Sequence, residues 1–281
     1  MLDKKRLLGG AAALGTIPAL LTATPAHAAT PGCYGDCQPG VVRGTGVIKY
    51  DTLPGYNDQV TVAITTGSVT VTNPAAPLTT GAGCTLITTH QARCGAATST
   101  FRLSIRTLDG DDTITNATAI PSLIRAGDGN DHLTGGTADD ELNGGLGADL
   151  IQGSTGTDTA TYNENSTRLG IHADLDGATG DDGSTDDGPA GARDTIAADV
   201  ENLTGTFHDD VLIGNTGPNV IHGTFGRDVV QGLGGADDLT ATGNGTIDGG
   251  ADTDHCTSDV RSTGTTPDTF VNCELTQVIT P

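Results

Sequence analysis

Residues 126–161 divide without remainder into four nines, AGDGNDHLT, GGTADDELN, GGLGADLIQ and GSTGTDTAT, and this register decides the fold. Asp131, Asp140, Asp149 and Asp158 stand at position six, while Leu133, Leu142, Ile151 and Ala160 stand at position eight. A divergent copy, TLDGDDTIT at 107–115, precedes them with Asp112 and Ile114 in the matching places. A second array runs from Gly205 as GTFHDDVLI, GNTGPNVIH, GTFGRDVVQ and GLGGADDLT, with Asp210, Asn219, Asp228 and Asp237 at position six. After the irregular eight residues ATGNGTID, a last copy, GGADTDHCT at 249–257, carries Asp254. A fixed short period is the mark of a solenoid.

The physics of one nine-mer follows from its residues. Glycine at positions one, two and four permits a tight turn with positive φ and a close approach to a ligand. Three residues then extend as a strand, with position eight facing inward. Two nine-mers make one flattened coil of about eighteen residues, and coils stack through parallel backbone hydrogen bonds. Stacking sets Asp131 against Asp149, Asp140 against Asp158, Asp210 against Asp228, Asn219 against Asp237, and Asp237 against Asp254. Paired carboxylates repel by several kcal/mol, on the order of 4 at 4 Å and an effective dielectric of 20. A hard divalent cation removes that repulsion; Ca²⁺ accepts six to eight oxygens in loose geometry, whereas Mg²⁺ demands a tighter octahedron. The plainer alternative is an acidic, solvated ladder of turns holding no ion.

Composition agrees with a turn-rich, cation-oriented chain. Thirteen Lys+Arg oppose 35 Asp+Glu in 281 residues, for a formal charge of -22, and only Glu141, Glu164, Glu201 and Glu274 are glutamates. Such a field repels phosphate, so nucleic acid is excluded as a partner. With 42 Gly, no Trp and 3% aromatics, a large aromatic core is excluded as well.

The pattern G-G-x-G-x-D-x-U-x, seen in GGLGADLIQ and GTFGRDVVQ, resembles the hemolysin-type (RTX) calcium-binding repeat, and the chain looks like the secreted actinobacterial proteins that carry it. The resemblance implies an all-β fold, a right-handed parallel β-roll or β-helix with Ca²⁺ between successive Gly-rich turns. Its ligand aspartates would be Asp131, Asp140, Asp149, Asp158, Asp210, Asp228, Asp237 and Asp254, with Asp112 the weaker match. Where Asn219 is neutral, where Ala138 and His208 replace the second turn glycine, and where 241–248 lacks an aligned Asp, the sites are expected to be weaker or empty. The number of paired carboxylate turns suggests about four to seven ions.

Residues 1–28, with Lys4-Lys5-Arg6, an apolar stretch and Ala26-His27-Ala28, read as an export signal cleaved after Ala28. The expected organisation continues with a β-rich N-terminal cap at 29–106, the first array at 107–161, and an insert with an acidic loop at 162–204. The second array follows at 205–257 and a stapled cap at 258–281. Six cysteines in an exported chain argue for disulfides, though six allow 15 connectivities. Local pairing, 33–37, 84–94 and 256–273, is the simplest. QVTVAI, SVTVTN and FRLSIR alternate as half-buried strands. In the insert, which resembles one common in the actinobacterial proteins, one coil continues through Thr159–Tyr162 and Ile171–Leu175. A loop with Asp181, Asp182, Asp186 and Asp187 is extruded there, either as a mobile solvated loop, the favoured reading, or as an extra cation site.

Neither G-x-S-x-G nor H-E-x-x-H occurs, so serine-hydrolase and zincin signatures are absent. Arg125 and Arg227 flank repeat turns without clustering, and Lys49 is the only lysine after the leader. The chain therefore reads as a secreted calcium-binding protein, extracellular, not an enzyme and without a membrane span once the leader is removed. It would fold or stiffen on meeting Ca²⁺ outside the cell. The alternatives are a calcium-dependent polysaccharide lyase or epimerase on the same β-helix, and an adhesive or matrix protein; the sequence names no protein or polysaccharide partner.

Overall fold

The structure is a computed structural model that describes residues 40–44, 46–97, 101–163, 169–189, 191–260 and 266–280. The expected leader and the Cys33–Cys37 pair lie outside the described residues. Those described form strands and turns, without a helix.

One face of the molecule is an 11-stranded sheet running from Gly40–Arg43 to Leu275–Ile279. Every neighbouring pair in it is parallel except the first two strands, Gly40–Arg43 and Val47–Asp51. The opposite face consists of an 8-stranded and a 5-stranded sheet. Successive nine-mers alternate between the faces. Leu133 pairs with Ile114 and Ile151 in the 8-stranded sheet, while Leu142 pairs with Ile124 and Ala160 in the long one. The expected parallel β-roll is thus observed, its rungs formed by strands about eighteen residues apart.

Each strand puts its middle side chain between the two faces. Leu133, Leu142, Ile151, Ala160, Leu212, Ile221, Val230, Leu239 and Cys256 are all 0% exposed. Each aliphatic in this row contributes about 1.5–3 kcal/mol on burial, so a narrow core becomes sufficient because it is long. The irregular stretch 241–248 is also a rung: Thr246–Asp248 pairs with Val229–Gln231, and Ile247 fills the inward slot. The repeat continues beyond 257. Thr269–Val271 and Leu275–Ile279 add one more coil, joined to the core by the Cys256–Cys273 disulfide.

At the N-terminal end, Gln59–Thr65 lies parallel to Thr113–Ala117, and Val47–Asp51 lies parallel to Arg102–Asp109. The three strands Ser68–Thr72, Gln91–Ala96 and Thr85–Thr88 then extend the 8-stranded sheet in antiparallel pairing, with Gln91–Ala96 between the other two. Cys84 and Cys94 are bonded across it.

The insert differs from the extruded, mobile loop favoured by the sequence. From Thr159–Thr161 the chain first enters His172–Asp174, the end strand of the 5-stranded sheet. It then returns to Thr195–Ile196, the end strand of the 8-stranded sheet, before rejoining the long sheet at Asn202–Thr204. Between these two sheet edges lies Asp182-Gly183, bridged antiparallel to Asp194 on one side and His172 on the other. Asp182, Ser184 and Asp194 are buried. The physical reason is that two facing sheet edges would expose unpaired amides and carbonyls, and the loop supplies their partners.

Candidate metal centre

Position six builds every turn from below. Its carboxylate folds back against the position-one residue, so a Cβ on Gly144, Gly153, Gly223, Gly232 or Gly249 would collide with Asp149, Asp158, Asp228, Asp237 or Asp254 respectively. The first glycine is therefore needed for space, and positions two and four, not one, carry the positive φ expected of the turn.

A hydrogen-bond ladder then links the turns. The Asp112 amide donates to Asp131 Oδ1 at 2.7 Å, Asp131 to Asp149 at 2.8 Å, Asp140 to Asp158 at 2.8 Å, and Asp210 to Asp228 at 3.0 Å. Asn219 donates to Asp237 and Asp237 to Asp254 in the same way, at 2.8 and 3.0 Å. The stacked pairs expected from the period are in place, and one oxygen of each acid is occupied by the chain itself.

The second oxygen divides the ten turns into two kinds. Oδ2 of Asp112, Asp131, Asp149, Asp158, Asp228, Asp237 and Asp254 is buried and has no hydrogen-bond partner. In the other three turns the position-two amide takes that role. Gly136 donates to Asp140 Oδ2 at 2.5 Å, Thr206 to Asp210 Oδ2 at 2.7 Å, and Asn215 to Asn219 Oδ1 at 2.8 Å. Two of the closed turns carry Ala138 and His208 in place of the glycine at position four, and the third carries Asn219 in place of the acid at position six.

An ionised oxygen without a partner in a buried site is costly, and the carboxyls respond. Burial, opposed by the ladder hydrogen bond and reinforced by neighbouring acids, pushes Asp131, Asp158 and Asp228 up to about 7 from 3.8. Asp112 and Asp237 rise to about 6, again chiefly through burial. Asp149 is also raised, by burial and then by the charge of Asp194. In the first array the turn backbones also bring carbonyl oxygens together. Gly127 and Gly145 pack on the carbonyls of Leu108 and Gly127, and Gly129 and Gly147 on those of Gly110 and Gly129. Anionic oxygen with stacked carbonyls, and neither sulfur nor imidazole, is the donor set of a hard divalent cation. The residues present therefore fit Ca²⁺.

Two segments match the RTX calcium-binding nonapeptide repeat family, in four copies, at residues 125–160 and 204–239. The chain carries RTX calcium-binding repeats. No curated relative matches it. The RTX-type turns at Asp112 and Asp254 lie outside the matched segments, yet each leaves its Oδ2 unpartnered like the rest.

Sequence reasoning missed several acids in the same structural place. Asp194 Oδ1 accepts the Asp149 amide, Glu201 Oε2 the Asp158 amide, and Glu274 Oε2 the Asp254 amide. Asp58 donates its amide to Asp112, and its own oxygens meet Thr52 and Asn73. Asp268 receives the amides of Gly243 and Gly245, which explains how 241–248 closes without an aligned Asp. These acids lack the preceding glycines; an acid followed two residues later by an apolar strand residue, as in Asp194-Thr195-Ile196, was the available signal.

In the insert, the four loop acids do not converge. Asp182 is satisfied by the Asp174 and Ile196 amides, and Asp187 by those of Gly147 and Ser184. The convergence is instead of Asp174, Asp176 and Asp181, whose nearest carboxylate oxygens all lie within 4.8 Å of one another.

Proposed function

We propose that this is an exported, calcium-stiffened β-roll, a binding and structural protein rather than an enzyme. The observation that carries the reading is that, among the described residues, seven of the eight buried carboxylate oxygens without a partner belong to position six of RTX-type turns, the eighth being Asp181 Oδ1 in the insert. On this reading the ligands are Asp112, Asp131, Asp149, Asp158, Asp228, Asp237 and Asp254. Asp140 and Asp210, expected as ligands from the sequence, are left out because their own turns satisfy them.

Calcium supplies the positive charge that these rows lack; the chain orients its carbonyls and carboxylates around it and keeps the turns closely stacked. Ions bound to the folded state alone stabilise it by mass action. Low calcium inside the cell would leave the turns loose, and millimolar calcium outside would tighten them, which suits the weak affinity of extracellular modules. Export is supported by the basic start, apolar stretch and Ala26-His27-Ala28 of the sequence. No helix among the described residues is long and apolar enough to cross a membrane.

The test is a Ca²⁺ titration of EDTA-treated protein followed by far-UV circular dichroism and thermal melting, with Mg²⁺ as control. A melting temperature that climbs with Ca²⁺ and not with Mg²⁺ supports the reading. A fold equally stable in EDTA and in Ca²⁺ would remove it. Recovery of the mature chain from culture medium, beginning at Ala29, tests export separately.

A further inference from the structure

In the seven turns with an unpartnered Oδ2, positions two and four both have positive φ: Leu108 and Gly110, Gly127 and Gly129, Gly145 and Gly147, Ser154 and Gly156, Thr224 and Gly226, Leu233 and Gly235, Gly250 and Asp252. None of the three self-closed turns has a positive φ at either place. The two positions differ in what they tolerate. Position two accepts side chains, because Leu108, Ser154, Thr224 and Leu233 sit at φ of 77°, 75°, 63° and 71°, inside the left-handed region. At position four the glycines lie at 104°, 155°, 130°, 141°, 139° and 105°, largely beyond what a residue with a Cβ adopts. Asp252, the exception, relaxes to 82°, and Asp is among the few side chains that visit this region.

We infer that the residue at position four gates each turn, and that Ala138 and His208 take Asp140 and Asp210 out of calcium binding. This deepens the proposed function and rests on it. Without positive φ at position four the turn closes, and the position-two amide then occupies the carboxylate oxygen that a cation would use. A Cβ at Gly156 or Gly226 would in addition meet the carbonyl of Ala138 or His208 in the turn beneath. The turn at 214–222 shows that a glycine at position four is not sufficient by itself. Gly217 is present at position four, yet Asn219 donates through Nδ2 to the Glu201 carbonyl and accepts the Asn215 amide. A neutral amide satisfies itself where a carboxylate would need a cation, so an ion site requires both a position-four residue that holds positive φ, as glycine or Asp252 does, and the acid at position six.

Three gains and one loss follow, counted as Ca²⁺ bound per chain by equilibrium dialysis and, independently, as Tb³⁺ displaced by Ca²⁺ in luminescence. His208→Gly, Ala138→Gly and Asn219→Asp are each expected to bind one ion more than the unaltered chain, and Gly226→Ala one fewer. Folding of each variant is checked by circular dichroism in saturating Ca²⁺, and the gains in two separate arrays guard against one variant failing to fold. Folded His208→Gly and Ala138→Gly proteins that bind no more than the unaltered chain would overturn the gate while leaving calcium binding intact. An unaltered chain that binds no Ca²⁺ would overturn both.

Discussion

The amide of Asp131 donates to Oδ1 of Asp149 at 2.8 Å, one coil away, while Oδ2 of both aspartates is buried without any donor. Half of each carboxylate is thus used to set the register of the stack, and the other half is left for something the chain does not supply. The same side chain specifies the fold and creates its electrostatic defect.

That defect predicts an inverted pH dependence in the absence of metal. Burial raises Asp131, Asp158 and Asp228 to about 7, so the folded chain keeps protons that the unfolded chain releases near its ordinary carboxylate pKa of about 4. Stability is then greatest at the acid end of this window and falls as pH rises from about 4 through about 7. EDTA-treated protein should melt at a higher temperature at pH 5 than at pH 8. Calcium affinity should move the other way, increasing over the same range as the ion displaces protons. A metal-free melting temperature that rises from pH 5 to pH 8 would contradict this.

Asp131→Asn separates charge from shape. In EDTA the variant should be more stable than the unaltered chain by about 1–3 kcal/mol, because an ionised oxygen with no partner is replaced by a neutral group. In Ca²⁺ the order should invert, since one site is lost and each site filled at a hundred times its Kd contributes about 2.7 kcal/mol. Denaturant melts in the two conditions read both signs. Equal losses with and without Ca²⁺ would show that Asp131 serves the ladder alone.

The staple at the C-terminal end predicts a local effect. Cys256 is buried in the position-eight row and is bonded to Cys273, 17 residues on. Opening that loop should cost about 3 kcal/mol. Cys273→Ser should raise amide exchange in Thr269–Val271 and Leu275–Ile279 while the rungs around Leu142 stay protected. Uniform loss of protection would mean that the last coil and the arrays unfold together.

Position eight was legible because it is buried in every nine-mer, on one face and then the other, and an apolar side chain meets that burial from Leu133 to Cys256. Position six was legible for the same periodic reason. What the spacing did not convey was the role of each oxygen. The identity of Asp140 as an acid is plain in the sequence, but its closure by the Gly136 amide depends on backbone dihedrals two residues earlier. The sequence marked Ala138 and His208 as departures without revealing that the turn itself replaces the ion.

The insert was misread for a different reason. Its Asp and Gly content looks like solvated loop, and composition does not register that two sheet edges, at Ile196 and at Asp174, need partners. Asp182 meets both, accepting the amides of Asp174 and Ile196. The piece 241–248 is one residue short of a nine-mer and keeps only Gly243 and Gly245, yet Ile247 still pairs in register with Phe270 of Thr269–Val271.

The most direct measurement is diffraction from crystals grown in calcium, with the ions located by their anomalous signal. The account predicts ions beside Oδ2 of Asp112, Asp131, Asp149, Asp158, Asp228, Asp237 and Asp254, and none in the turns of Asp140, Asp210 and Asn219. Turns around those seven aspartates that remain empty in millimolar calcium, or ions seated against Asp140 and Asp210, would contradict it.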